Sequence, residues 1–451
     1  MVNLTIGSVI TLEIRTMGIN GEGIGYYNKA AIFVPGAITK EVIYAKVEEV
    51  HDTYAIASID SFIYKSKMRV DPFCKFYGDC GACTLEHVAM SEQLKIKRQI
   101  LINSIKKYTK LDPFKLKIEK TVPSEEINYR NKSQMPFRDT NFGLALGLYA
   151  PNSNKFVYID NCGIQNDLVN AVNAKVLTIL LKYKQTTIKS GGVLKYLCVR
   201  GLEDSNEAQV TFVLSEYKEI FKKIAEELVK ENEEIKSVAY TIQEKGGVSL
   251  FGSETVILAG VNYIKDKMLS LDVRLSPKSF YQLNKKASES LYKEIIESGT
   301  KDTDIVFDGY SGIGILGLLM AKKAKYVYSV DINSDSIKNA RIIARENDIK
   351  NITFYSDRIE NRFPDLVKES LIPNIVILDP PRSGLDRKVI ETLNAIKADK
   401  IFYISCNAST LAKNLNELLD VYEVSYMRPY DFFTETALVE TLCVLKRKEN
   451  H

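Results

Sequence analysis

Along residues 280–451, short apolar runs alternate with longer amphipathic stretches. Ile305–Phe307, Val327–Val330, Ile352–Phe354, Ile375–Leu378 and Ile401–Ile404 are too short for helices and rich in β-branched residues, which predicts buried strands. Two further runs, Tyr422–Met427 and Ala437–Leu445, predict a sixth and a seventh strand. Helical stretches separate the first six, the pattern of a doubly wound α/β sheet. The last gap, Arg428–Thr436, is too short for a crossover helix and predicts an antiparallel final pair.

Earlier in the chain the pattern changes. Up to about residue 59, runs such as Val9–Leu12 and Ala31–Val34 are separated by Gly18-Ile19-Asn20-Gly21 and Pro35-Gly36, the spacing of a small β-barrel. Residues 60–279 are mixed: Thr84–Lys110 and Glu216–Lys230 look helical, Val210–Leu214 looks like a strand. The expected organisation is an N-terminal β-barrel over 1–59, a mixed α+β central domain over 60–279, and an α/β domain over 280–451. The helix within 84–112 is a candidate to pack on the C-terminal domain.

Composition narrows the class. The chain has 451 residues, 45% hydrophobic and 26% charged, as ordinary globular proteins do. No apolar run is long enough to span a membrane, and Met1–Gly7 lacks the features of a signal peptide, so a cytoplasmic location without a membrane partner is expected. The net charge of +4 says little, but residues 61–140 carry a local excess of Lys and Arg. Much of it lies in Lys95, Lys97, Arg98, Lys106, Lys107 and Lys110, a stripe that either contacts phosphates or is a solvated helix face. In a reducing compartment the seven cysteines read as metal ligands or catalytic groups rather than disulfides. The three histidines, His51, His87 and His451, leave histidine chemistry poorly supplied, so a general base is expected to be a carboxylate.

The ends of the predicted strands carry the candidate chemistry. After the first comes Asp308-Gly309-Tyr310-Ser311-Gly312-Ile313-Gly314, whose glycines let backbone approach a ligand; a plain tight turn would look the same. The second ends in Asp331, placed to accept bonds from ribose hydroxyls or to cap the next helix. No phosphate-binding motif follows, so S-adenosylmethionine, with a ribose and no phosphate, suits the loop better than a dinucleotide. The antiparallel ending likewise suits a class I methyltransferase. The fourth strand ends in Asp379-Pro380-Pro381-Arg382 and the fifth in Ser405-Cys406-Asn407. If these strands are neighbours, Asp379 and Cys406 share one crevice, and the next helix's N-terminus is expected to lower the thiol's pKa. The alternative for Cys406 is a small buried hydrophobe. Glu440, inside an apolar run, is either a sheet-edge charge or a general base.

Taken together these residues resemble the RNA uracil-C5 methyltransferase family over essentially the whole chain. Gly7–Ile59, with Phe33-Val34-Pro35-Gly36-Ala37, is similar to the RNA-binding TRAM domain. Cys74, Cys80, Cys83 and the distant Cys162 match the ligands of the family's [4Fe-4S] cluster, with a structural zinc site as the alternative. Tyr129-Arg130-Asn131-Lys132 and Phe280-Tyr281-Gln282-Leu283-Asn284 match further family elements. The resemblance implies that Gln282, Tyr310, Asp331 and Asp379 bind S-adenosylmethionine, with Cys406 as nucleophile and Glu440 as base. The TRAM segment and cysteine cluster together imply a uridine of 23S rRNA as target; DNA is not expected as a partner, and the oligomeric state is left open with a monomer favoured. A tRNA uridine-C5 methyltransferase is the nearest alternative.

Several positions depart from the family pattern: Leu438 stands where His is usual, Phe433-Thr434 replaces Phe-Pro, Ala408 replaces a proline, and Ser311 replaces a frequent cysteine. Leu438, beside the base, keeps open a weakened or inactive RNA-binding paralogue. Two rival enzymes are an RNA N-methyltransferase, which needs no thiol, and a cytosine-C5 RNA methyltransferase, whose motif differs.

Overall fold

The computed structural model of the chain describes residues 4–244 and 249–449; His451 lies outside them. Strands β1 (Val9–Met17), β2 (Gly23–Tyr27), β3 (Ala30–Val34), β4 (Val42–Val50) and β5 (Tyr54–Tyr64) close into a barrel in the order β1-β2-β3-β5-β4. In β1 every second side chain points inward, so Ile10, Leu12 and Ile14 meet Ile32, Val34, Ile43 and Val47 in the barrel core. At Gly25 an added Cβ would sit 2.6 Å from the Glu13 carbonyl oxygen, so only glycine lets β1 and β2 approach.

Residues 66–89, with three of the cysteines, form turns that lead into helix α1 (Met90–Tyr108). The helix thus begins six residues later than the pattern from Thr84 predicts. Thr84 and Leu85 donate their backbone N–H groups to the Glu435 carbonyl and Ala89 donates to Met68, so these amides are committed to distant partners. The expected basic stripe on α1 also needs correction. Lys97 is fully buried against Asp431, and Arg98 donates to the carbonyls of Ile118 and Glu119. The buried face of α1, including Ile96, Ile100, Leu101 and Ile105, joins the core of the C-terminal sheet.

The central sheet contains β6 (Lys132–Thr140), β7 (Gly143–Tyr149), β8 (Phe156–Tyr158), β9 (Leu194–Leu202), β10 (Glu207–Leu214), β11 (Ile235–Ile242) and β12 (Thr255–Gly260), in the order β12-β11-β10-β9-β6-β7-β8. Helices α2 (Asp167–Lys182) and α3 (Ile220–Glu231) supply Val172, Val176, Phe221 and Ile224 to its core. The hairpin β13 (Ile264–Met268) and β14 (Leu271–Leu275) lies before the boundary expected at 279/280. Its apolar side chains nevertheless pack with the C-terminal helices.

Helix α4 (Lys285–Glu297) precedes the third large sheet. Its strands are β15 (Ile305–Gly309), β16 (Tyr326–Asp331), β17 (Ile352–Ser356), β18 (Ile375–Leu378), β19 (Lys400–Ser405), β20 (Tyr422–Tyr430) and β21 (Glu440–Arg447). Helices α5 (Ile315–Ala321), α6 (Ser334–Glu346), α7 (Ile359–Lys368), α8 (Arg387–Ile396) and α9 (Ala408–Leu418) alternate with the first six. The order is β17-β16-β15-β18-β19-β21-β20, parallel except that β21 runs antiparallel to both neighbours. This is the class I methyltransferase architecture with an N-terminal barrel. The final strand starts at Glu440 rather than Ala437, because Ala437 and Leu438 donate to the hydroxyls of Thr84 and Thr436 instead of a ladder partner. Among the described residues no helix is long and apolar enough to cross a membrane.

Candidate active site

The carboxyl ends of β15, β16, β18 and β19 open into a cleft of about 910 Å³. Its lining brings together Gln282, Tyr310, Asp331, Asp379, Cys406 and Glu440, all six residues singled out in the sequence outside the cysteine cluster. Parallel strands point their carboxyl ends the same way, so residues scattered over 159 positions of chain, from Gln282 to Glu440, converge at one rim.

The glycine loop after β15 turns through left-handed backbone at Tyr310 (φ 62°), Gly312 (φ 57°) and Gly314 (φ 74°). A non-glycine residue in this region carries strain, which the surrounding loop holds in place. An added Cβ at Gly314 would lie 2.8 Å from the Phe354 ring. Asp331 fastens the loop: its carboxylate accepts from Gly312 N and from Asn333 N, both at 2.8 Å. Asn333 caps α6 by accepting from Asp335 N and Ser336 N, so Asp331 does not serve as that helix's cap. Each carboxylate oxygen can accept a second bond, leaving room for a ribose hydroxyl. Beside it, Ile332 is 63% exposed and Phe280 62% exposed, apolar surface suited to a planar ring.

Asp308 is a site residue that no role marked in the sequence. It lines a smaller pocket that shares Gln282, Tyr310 and Asp379 with the cleft, accepts from Gly317 N and Ser329 Oγ, and burial pushes its carboxyl up to about 7. The signal was present: an acid closing the apolar run Ile305-Val306-Phe307, as Asp331 closes the next.

The Asp-Pro-Pro-Arg turn is tied to the start of α9, since the Arg382 carbonyl accepts from Asn407 Nδ2 and Thr410 Oγ1. β18 and β19 are neighbours, and β19 pairs with β21, which places Asp379, Cys406 and Glu440 side by side. Burial raises the Asp379 carboxyl to about 7. Burial, then the charge of Asp379, pushes Glu440 well above the usual carboxylate range. Among the described residues Glu440 Oε1 is buried without a hydrogen-bond partner. The expectation of a lowered Cys406 pKa is overturned. Burial and the charges of Glu440 and Asp379 raise it, and Arg382 only partly opposes them. The helix N-terminus offers little help, because Asn407 already accepts from Ser409 N and Thr410 N.

The opposite wall is held by the central domain. Asn131 donates its backbone N–H to the Leu283 carbonyl and its side chain to the Gln282 carbonyl, while Asn284 caps α4. Thus the Tyr-Arg-Asn-Lys segment braces the Phe-Tyr-Gln-Leu-Asn segment from behind. Leu438 is not part of the cleft lining; its connection contributes Phe433 and Glu440.

The four cysteines lie apart from the cleft. Cys74, Cys80, Cys83 and Cys162 are free and partly exposed. Burial raises each thiol of the triplet, and the charge of Cys162 adds to all three, so the fold brings the distant cysteine to them. Cys162 N donates to Asn170 Oδ1, and Gly81 packs where a Cβ would be 3.0 Å from Pro151. Among the described residues no three His, Cys, Asp or Glu groups converge tightly enough to hold a single ion. The four thiols are near enough to feel one another's charge, and an all-thiol donor set is the chemistry that iron–sulfur clusters take. Cys198 and Cys443 are buried in strands as small hydrophobes.

A family model described as tRNA (Uracil-5-)-methyltransferase matches residues 90–448, and a TRAM domain model matches residues 3–59. An RNA methyltransferase of Listeria innocua, described as uncharacterized, is 39% identical over 452 residues, covering 98% of each chain. Another of the same description from Streptococcus agalactiae is 35% identical over 452 residues, covering 99% of this chain and 100% of its own. The crystal structure of a Pyrococcus abyssi tRNA (uracil-54, C5)-methyltransferase in complex with S-adenosyl-L-homocysteine superposes with a TM-score of 0.76 at 22% identity. It covers 97% of this chain and 100% of that one, a likeness of fold.

Proposed function

The chain belongs to the RNA uracil-C5 methyltransferase family, with a TRAM domain at its N-terminus, and on that premise we propose that it methylates carbon 5 of a uridine in 23S rRNA through a covalent bond to Cys406. The observation that carries this reading is the convergence of a thiol, an unpaired buried carboxylate and a second raised carboxylate beside the loop-holding Asp331 in one cleft.

Carbon 5 of uracil is a weak nucleophile. The Cys406 thiolate adds to carbon 6, and the electron pair of the 5,6 double bond moves toward carbon 5. S-Adenosylmethionine supplies the electrophilic methyl group that carbon 5 then takes. Glu440 removes the carbon-5 proton; those electrons rebuild the double bond and the carbon–sulfur bond breaks, returning the thiolate. Asp331, Tyr310 and Gln282 hold the donor and Asp379 the base edge, so that the reacting atoms meet without a search. The target uridine leaves its stack to enter the cleft, which costs a few kcal/mol. The raised Cys406 pKa means that the thiolate is a minor species until substrate enters, and proton transfer to Asp379, whose carboxyl stands at about 7, supplies it and leaves Glu440 free to act as the base.

Ribosomal RNA is what the resemblance of the TRAM segment together with the cysteine cluster implies; transfer RNA is the second reading, favoured by the tRNA enzyme whose fold superposes over 97% of this chain. Cys74, Cys80, Cys83 and Cys162 would hold a [4Fe-4S] cluster, whose contribution here is structural. The test is a covalent trap: the protein is mixed with S-adenosylmethionine and an rRNA fragment carrying 5-fluorouridine, whose fluorine cannot be removed as a proton. A denaturation-resistant adduct that disappears in Cys406→Ala supports the reading. No adduct, with RNA and donor bound, refutes it. Adduct with tRNA and not with rRNA would leave the chemistry and move the substrate.

A further inference from the structure

We propose that the connection between β20 and β21 is a strap whose anchorage on the cysteine segment positions Glu440, so that whatever binds the cysteines governs proton removal rather than donor binding. The inference rests on the uracil-C5 reading above.

The strap covers residues 431–439 and ends at the base. Its first half, Asp431 to Thr434, also bonds Val122, Glu125, Tyr129 and Asn284, whereas the half that leads into Glu440 is held from the cysteine segment and α1. Thr84, next to Cys83, and Leu85 donate backbone N–H groups to the Glu435 carbonyl, each at 2.9 Å. Thr84 Oγ1 accepts from Ala437 N at 3.3 Å. Gln93 in α1 grips Glu435 from both sides: Oε1 accepts from Glu435 N and Nε2 donates to the carboxylate. Lys97, fully buried, bonds Asp431 and the Phe433 carbonyl. Glu435 itself sits at φ 66°, a strained backbone that persists only while its surroundings over-determine it.

The anchors are divided along the strap. The bonds to Thr84, Gln93 and Lys97 involve neither the glycine loop nor Asp331, where the donor would lie. Loosening the cysteine segment therefore frees the stretch from Glu435 into the carboxylate, while Asp431 to Thr434 stay held by Val122, Glu125, Tyr129 and Asn284 and the donor pocket is left intact. Thr84, Gln93 and Lys97 are positioning residues in this scheme; none lines the cleft.

The test uses the full chain with two rRNA fragments, one with ordinary uridine and one with 5-fluorouridine. The double variant Thr84→Val, Gln93→Leu deletes the side-chain bonds to Glu435 and Ala437, keeps those of Lys97 and the backbone bonds of Thr84 and Leu85, and touches no cysteine. Donor affinity and 5-fluorouridine adduct are expected at the wild-type level, since neither needs the base. Turnover on ordinary RNA should fall at least about tenfold, the scale at which small misplacements act. Methylated, denaturation-resistant adduct should then accumulate on ordinary RNA, where the wild type shows little. Wild-type protein stripped of iron by a chelator should behave as the variant does.

Variant turnover within about twofold of wild type would overturn the strap's role, given the scale of misplacement effects. So would parallel loss of donor binding, adduct and turnover, which marks a residue that merely supports the fold. If the double variant does not fold, Thr84→Val alone must show the same pattern in weaker form, or the proposal fails. Metal-free protein that turns over normally, or anaerobically isolated protein without iron, removes the link to the cysteines. A wild type that forms no 5-fluorouridine adduct sinks the uracil-C5 reading and the strap with it, whereas normal wild-type adduct with normal variant turnover sinks the strap alone.

Discussion

Cys406 and Glu440 are opposite numbers across the antiparallel β19–β21 ladder, one step beyond the Ser405–Thr441 pair that closes it. The proposed nucleophile and base are thus set by strand register, and a slip of one residue in β21 would turn Glu440 away from the cleft and from Cys406. Their separate tasks can be pulled apart. Glu440→Gln is expected to lower turnover by about 10²- to 10⁴-fold, the usual worth of a positioned base. It should leave the 5-fluorouridine adduct intact. Loss of adduct in that variant would show that the carboxylate serves the attack as well.

The pH dependence follows from the direction of the shifts. Cys406 is raised by burial and two carboxylates, and Asp379 stands at about 7. Raised acids release their protons later, so the reactive thiolate becomes more abundant as pH rises. Single-turnover adduct formation should therefore climb from about pH 6 toward pH 9, by roughly tenfold per unit while the thiol stays mostly protonated. A rate that is flat across this range would place the limiting step elsewhere, in binding or base extrusion.

Asp331 holds the glycine loop by Gly312 N, and in the proposed reading its remaining lone pairs take a ribose hydroxyl of the donor. Asp331→Ala should weaken S-adenosylmethionine by about 1.5–3 kcal/mol, the range for a hydrogen bond to a charged group. Titration calorimetry measures it. Unchanged affinity would assign Asp331 to loop geometry only.

Burial opposes the charge on Lys97 and on Asp431 alike, and each survives because the other is there. Lys97→Met leaves an unpaired buried carboxylate and should destabilise the protein by about 3–5 kcal/mol. Lys97→Met combined with Asp431→Leu should recover most of that loss in denaturant unfolding. Additive losses in the double variant would show that the pair does not act as a unit.

Cys162 lies 79 positions beyond Cys83 yet adds its charge to the triplet. Cys162→Ser should therefore reduce bound iron and sulfide together in anaerobically purified protein. Retention of both would exclude Cys162 as a ligand.

The alternation of short apolar runs in residues 280–451 sufficed to mark the sheet, because each run reports burial through its own neighbours. The chemistry at the strand ends was legible for the same reason: an acid or thiol closing an apolar run, as at Asp331, Asp379 and Cys406, sits where parallel strands open. Other features depended on residues far away in the chain. Nothing local distinguishes Lys97 from Lys95, yet one is buried on Asp431 and the other faces solvent beside Glu92. Residues 84–89 have a helical pattern, and the carbonyl of Glu435 takes two of their amides. The thiol of Cys406 precedes a helix, and the charges that raise its pKa arrive from β18 and β21. Periodicity and strand-end chemistry are short-range and belong to the sequence. Burial of a charge, the sign of a pKa shift and the start of a helix are settled by long-range partners, which only the tertiary structure supplies.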